Sequence, residues 1–220
     1  MDIKIIACSL KGYKLGERIA EKYNTTVESG SKITSEKLGV AFCNHYEWTK
    51  ENFKSSDALI FIGAVGIAVR SVGKLLQSKL TDPAVICIDD CGKFTIPILS
   101  GHVGGANKLA LEISELINSV PVITTATDIN NVFAIDSWAV SQGLKIKRAY
   151  KIKEVSGKLL HGENIVIKTE VPIIGQAPKG VKVIDITENL DFDVIITSNA
   201  DEKSDSLMLL WDKSEGKIEF

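Results

Sequence analysis

KFTIPILSGHVGGANKLALEISELI, Lys93–Ile117, decides the fold. FTIPIL is a run of β-rich apolar residues, and Leu109, Ala110, Ile113, Leu116 and Ile117 recur at the spacing of one helix face, in a helix beginning near Lys108. Between them lies SGHVGGAN, Ser100–Asn107, a glycine-rich turn from strand to helix that holds a histidine. Such a turn aims free backbone N–H groups and the positive end of a helix dipole into one small space. It suits a carboxylate or phosphate ligand.

Working outward, the first two-thirds of the chain alternates in the manner of βαβ units. IKIIAC (Ile3–Cys8) reads as a strand and is followed by Leu15, Ile19 and Tyr23 on one helix face. KLGVAFC (Lys37–Cys43) and DALIFIG (Asp57–Gly63) read as the next strands, the second apolar enough to be central in a covered sheet. Val65, Ala68, Val69, Val72, Leu75 and Leu76 form a helical stripe. AVICI (Ala84–Ile88), the turn DDCG and KFTIPIL predict a hairpin. PVITT (Pro121–Thr125) predicts a further strand, and Ile135–Val140 a helix stopping at Gly143. After about Lys151 the texture changes to a short helix ending near HGEN and short strands at NIVIK, VKVID, DVIITS and SLMLLW. The expected fold is α/β: a Rossmann-like three-layer domain with a mainly parallel sheet over residues 1–147, then a small α+β domain over 148–220.

Composition excludes several classes. A net charge of −2 gives no basic field for a nucleic-acid backbone, and 45% hydrophobic with 25% charged residues is ordinary for a globular protein. No run approaches ~18 apolar residues, and MDIKIIACSL lacks the form of a signal peptide, so a cytoplasmic protein without membrane or nucleic-acid partners is expected. Cys8, Cys43, Cys87 and Cys91 lack paired CxxC spacing and read as incidental thiols. The sequence shows no metal-ligand pattern, no GxGxxG and no GxxxxGK[ST].

If the sheet is parallel, ligands bind outside the carboxyl ends of its strands, where loops lead into helices. Three loops carry the chemistry: GAVGIAVR (Gly63–Arg70), SGHVGGAN (Ser100–Asn107) and TTATDIN (Thr124–Asn130), all expected on one edge and lining one cleft. Arg70 is one of three arginines, and a guanidinium grips carboxylates bidentately; the alternative is a surface arginine. His102 suits proton transfer and is the candidate base, with Asp128 or Asp82 as its orienter or as the base itself; either aspartate could equally cap a turn or helix. Ser100, Thr124, Thr125 and Thr127 could donate to substrate oxygens. Gly63, Gly66, Gly101 and Asn107 complete the candidate binding set. Gly104 and Gly105 fit either close approach of a ligand or tight packing of the turn.

GAVGIAVR, TDPAVICIDDCGKFTIPILSGHVGGANKLA and PVITTATDIN, in that order and spacing, resemble the CbiG family of anaerobic cobalamin biosynthesis, the cobalt-precorrin-5A hydrolases. The likeness is strong over about Asp57–Gly143, and the region after Lys151 resembles the family's middle segment. Many members carry a further C-terminal domain that this chain is expected to lack. The resemblance implies that water opens the δ-lactone of cobalt-precorrin-5A, releasing acetaldehyde and giving cobalt-precorrin-5B. It also implies a substrate whose acetate and propionate arms Arg70 and helix N-termini would hold, with an oxyanion donor set in the glycine turn. No cofactor of the protein's own is implied, because cobalt arrives inside the substrate. The partners the resemblance implies are the cobalt-corrinoid and other enzymes of the same pathway, and no oligomeric state is specified. A non-catalytic corrinoid-binding module and another small-molecule enzyme on a Rossmann-like sheet are the alternatives.

Overall fold

The computed structural model describes residues 1–212 and 217–220, which fall into two compact units, Met1–Ile123 and Thr124–Phe220. The first contains, in order, β1 (Ile3–Ala7), α1 (Leu10–Tyr23), β2 (Val27–Ser29), α2 (Lys32–Leu38), α3 (His45–Asn52), β3 (Ala58–Ile62), α4 (Val65–Val72), β4 (Ala84–Ile88), β5 (Phe94–Leu99), α5 (Ala106–Ile117) and β6 (Val120–Pro121). Its sheet has the order β2-β1-β3-β4-β5-β6. β2, β1, β3 and β4 run parallel, β5 returns antiparallel to β4, and β6 follows the direction of β5.

Every residue of β3 and β4 is buried, which explains why both read as continuous apolar runs. The period-two alternation of a strand then divides them between two faces. Ile60, Ile62, Ile86 and Ile88 pack with Ile19 of α1 and Leu109 and Ile113 of α5. Leu59, Phe61, Val85 and Cys87 pack on the other face with Trp48 of α3 and Ala68 and Val72 of α4. Helices thus cover both faces of a mostly parallel sheet, the three-layer α/β arrangement expected from the sequence. Each fully buried large side chain contributes about 1.5–3 kcal/mol.

Two local expectations are corrected. KLGVAFC is not a strand: Ser31 caps α2 by accepting from the Thr34 amide, and Gly39 ends it at φ 67. The capping residues override the apolar content that follows, and only Phe42 bridges to Ser29. The edge strand is β2 instead. PVITT is likewise shortened to β6, Val120–Pro121, which pairs with Phe94 and Thr95; beyond it the Val122 amide still donates to the Thr95 carbonyl at 2.9 Å, and the next residues turn toward the helix Ala126–Ile129.

The second unit contains α6 (Ala126–Ile129), α7 (Ile135–Ser141), β7 (Lys145–Lys147), α8 (Ile152–Leu160), β8 (Ile165–Thr169), β9 (Ile173–Ile174), β10 (Val181–Asp185), β11 (Val194–Thr197), β12 (Leu207–Leu210) and β13 (Ile218–Glu219). Its main sheet has the order β10-β8-β11-β12-β7, parallel except for β7, and β9 pairs with β13. The boundary expected at 147/148 falls inside this unit, since α6 and α7 pack against α8.

Candidate functional site

The hairpin decides where the loops emerge. Leu99 pairs with Val85 and Thr95 with Ile88, so the end of β5 lies beside the start of β4. Gly63, at the end of β3, donates its N–H to the Ile88 carbonyl at the far end of β4. Gly63 and Ser100 therefore leave the sheet on opposite edges, separated by a five-residue strand, about 16 Å. The expectation that all the loops share one edge is corrected: β5 is antiparallel, so its carboxyl end is the amino edge of its neighbours.

At that amino edge SGHVGGAN folds on itself. Ser100 adopts φ 56, unusual for a residue with a side chain, and its Oγ donates to the Asp82 carbonyl at 2.8 Å. The Ala106 and Asn107 amides, the first two of α5, donate to the Ser100 and Gly101 carbonyls at 3.1 and 3.0 Å. The helix start that looked open to an anion has spent these two donors inside the turn. The Gly105 amide donates to the His102 carbonyl at 2.9 Å, and Gly105 takes φ 77. A Cβ on Gly104 would lie 2.4 Å from the Ser100 Cβ, and one on Gly101 2.8 Å from the Asn107 Oδ1. Gly104 is thus required by the packing of the turn, whereas the neighbour of Gly101 is the end of the Asn107 side chain, which can shift; His102 stays half-buried within the turn.

Asp82 is 8% exposed and Ser100 9%. The Asp82 carboxylate accepts from the Gln77 amide at 3.0 and 3.2 Å and from the Ser78 amide at 3.1 Å, closing the turn that leads into β4. Asp82 and Ser100 are brought together, with the aspartate's side chain committed to backbone donors. A small cavity of about 230 Å³ beside them is lined by Phe53, Lys54, Gln77, Thr81 and Asp82.

On the opposite edge, β1 leads to α1 on one face and β3 to α4 on the other, the switch point where open α/β sheets bind ligands. Ser9 caps α1, accepting from the Gly12 amide at 2.9 Å, and donates to the Asp90 carboxylate in the hairpin turn. Lys11 Nζ lies 3.1 Å from Cys91 Sγ. Neither Ser9 nor Asp90 was singled out from the sequence, although a serine directly after a strand and before a helical pattern is a visible capping signal. Burial, then Asp90, raises the Cys8 thiol pKa, and burial pushes Cys87 up to about 12 and, with Glu28 beside it, Cys43 up to about 11. These thiols are protonated and unreactive at neutral pH.

Arg70 occupies the last turn of α4. Because the chain must return from the end of β3 to the start of β4, α4 carries it about 8 Å back from Val65 toward the amino edge. Its Nη1 donates to the Gly66 carbonyl at 3.2 Å. It borders a cavity of about 690 Å³ between α3 and α4, shared with Asn44, Tyr46, Glu47, Lys50, Lys74 and Leu75.

The remaining candidates lie in the second unit. Thr124 and Asp128 are exposed, Thr125 is half-buried and Thr127 is buried. Thr125 precedes α6, its carbonyl accepting from the Asp128 and Ile129 amides at 3.1 Å. Among the described residues, no three His, Cys, Asp or Glu side chains gather where they could hold a metal ion, and no helix is long and apolar enough to cross a membrane.

Comparison with known proteins supports the resemblance read from the motifs. Residues 47–128 match the family described as Cobalamin synthesis G N-terminal. A cobalt-precorrin-5A hydrolase of Salmonella typhimurium is 41% identical over 129 residues, covering 58% of this chain and 36% of that one. One of Priestia megaterium is 38% identical over 118 residues, covering 54% and 32%. The chain thus spans about a third of the length of these curated relatives. A cobalamin biosynthesis protein G homolog from Sulfolobus solfataricus has a similar structure, with TM-score 0.54 and 27% identity over 95% of this chain and 59% of that one.

Proposed function

We propose that this chain is a cobalt-precorrin-5A hydrolase, opening the substrate's δ-lactone with water, releasing acetaldehyde and yielding cobalt-precorrin-5B. The observation that carries the reading is the 41% identity over 129 residues to a protein of that name, beside a family match over residues 47–128 that holds both the Arg70 helix and the His102 loop. Lactone opening needs a group that takes a proton from water as the water attacks the carbonyl carbon. His102 is the histidine best placed for that work: half-buried, on a turn fixed at both ends by Ser100 and Gly105. Imidazole is the side chain whose unperturbed chemistry best suits proton transfer near neutral pH. Cobalt belongs to the substrate, so the protein's tasks are to hold the macrocycle and activate water.

Acetaldehyde release from cobalt-precorrin-5A by the purified protein tests the reaction. His102→Asn should lower turnover ~10²-fold or more while leaving corrinoid binding nearly intact. The acidic limb of the wild-type pH profile, where the base becomes protonated, should disappear in the variant. Near-normal release from His102→Asn would remove the histidine as base. Corrinoid binding without any release by the wild type would replace the hydrolase with a binding module.

A further inference from the structure

From the cavity between α3 and α4 we infer a subsite for a ligand bearing several carboxylates on an apolar frame. It deepens the hydrolase reading, on which the identity of the natural ligand rests, but its argument is local. Three cations, Lys50 from α3 and Arg70 and Lys74 from α4 and its end, border one concavity that contains a single carboxylate, Glu47. Among the described residues none of the three cations forms an ion pair, so the excess positive charge is unneutralised within the fold. Gathering like charges on a concave wall is unfavourable unless an anion settles there.

The donors suit carboxylates. One guanidinium nitrogen of Arg70 is held by the Gly66 carbonyl, which fixes the head group and leaves its other N–H groups for a planar, two-oxygen acceptor. Asn44 uses its Oδ1 to cap α3, accepting from Tyr46 and Glu47, so its amide nitrogen remains as a neutral donor. Tyr46 and Leu75 supply apolar wall, and a phosphate has no carbon frame to lay against them. Glu47 would repel a phosphate dianion more strongly than a single carboxylate. At about 690 Å³ the cavity has the size of a small-molecule site, ~300–1,000 Å³. On the hydrolase reading, its natural occupant is the carboxylate-bearing edge of the substrate macrocycle.

The test uses uroporphyrin I, a flat macrocycle with acetate and propionate arms, titrated into the full chain and followed by its fluorescence. Arg70→Gln and Lys74→Gln should each weaken binding about fivefold, the scale of one exposed charge contact, and the double variant by more. Arg70→Lys should fall between, since charge survives but the two-pronged contact does not. Lys37→Gln on α2 should bind like wild type. Citrate should displace the probe at lower concentration than inorganic phosphate. Because the three cations are not buried, melting temperatures should stay near wild type; Lys50→Gln with Lys74→Gln repeats the test without touching the Arg70–Gly66 contact. No probe binding by the wild type, wild-type affinity in these double variants, equal weakening by Lys37→Gln, or phosphate outcompeting citrate would each overturn the subsite. Acetaldehyde release keeps the two readings apart. Cavity-dependent probe binding without turnover removes the hydrolase and keeps the subsite; turnover with an unchanged KM in Arg70→Gln/Lys74→Gln does the reverse.

Discussion

Replacing Gly104 by alanine should unfold the first unit more readily than any other single methyl added to the Ser100–Asn107 turn. The new Cβ would stand 2.4 Å from the Ser100 Cβ and 3.0 Å from its carbonyl oxygen, far inside the ~3.5–4.0 Å at which carbon atoms rest in contact. Ser100 cannot move aside cheaply, because its Oγ is bonded to the Asp82 carbonyl and its own carbonyl receives the Ala106 amide. The cost belongs at the upper end of overpacking, about 3 kcal/mol, or roughly 10 °C in the melting temperature of a unit this size. Gly105→Ala is the comparison: nothing lies within 4 Å of its Cβ, but φ 77 imposes about 1 kcal/mol of backbone strain. Thermal melts followed by circular dichroism should therefore rank Gly104→Ala well below Gly105→Ala, and Ser100→Gly in the same chain as Gly104→Ala should restore part of the loss by removing the clashing carbon. A Gly104→Ala protein that melts like wild type but no longer binds corrinoid would refute the packing account, and would return this glycine to the role of admitting a ligand.

Two further outcomes follow from the carboxylates. Burial works against ionisation of Asp89, but the Phe94, Cys91 and Lys93 amides, at 2.6, 2.8 and 2.7 Å, outweigh it and hold its pKa below the ordinary carboxylate range. Its contribution to stability is therefore present above about pH 4 and lost as pH falls through the lower folded value; Asp89→Asn should be about 1 kcal/mol less stable at pH 7, with the gap closing in acid, as urea titrations at several pH values would show. Asp82→Ala should cost about 2 kcal/mol by stripping the Gln77 and Ser78 amides of their acceptor, while acetaldehyde release per folded molecule stays within a few-fold of wild type. A drop of ~10²-fold or more in that release, without loss of stability, would show instead that Asp82 serves the base.

What was legible in the sequence was whatever a local rule governs alone. ALIFI read as a covered central strand because a strand flanked by helices on both faces has no polar side, and every residue of it is indeed buried. The hairpin was legible from DDCG between two β-rich runs. GVAFC misled because apolar content was weighed without the serine and glycine that cap the helix before it. The glycines of the turn could not be sorted from sequence at all: close approach of a ligand and close approach of Ser100 both demand a missing Cβ, and only coordinates say which neighbour is there. Lys50 and Lys74 were invisible for a different reason, since two lysines on separate helices become a site only when α3 and α4 are laid side by side.

The placement of the candidates follows from a hairpin whose consequence for topology is larger than its length suggests. In a wholly parallel sheet the loop after β5 would have joined Gly63 at the switch point, beside Ser9 and Asp90. One reversal of direction moves His102 to the other edge, where Asp82 and Ser100 meet. The His102 turn nonetheless follows the carboxyl end of β5 itself, and α4 carries Arg70 back in the same direction. Within the first unit, then, the base candidate and the cation-lined cavity both lie away from the Ser9–Asp90 crevice. Because α4 and α5 cover opposite faces of the sheet, a substrate gripped on the α3–α4 side while water is activated at the glycine turn would have to reach round the amino edge. Arg70→Gln raising KM and His102→Asn lowering kcat on one substrate would identify it as one that does.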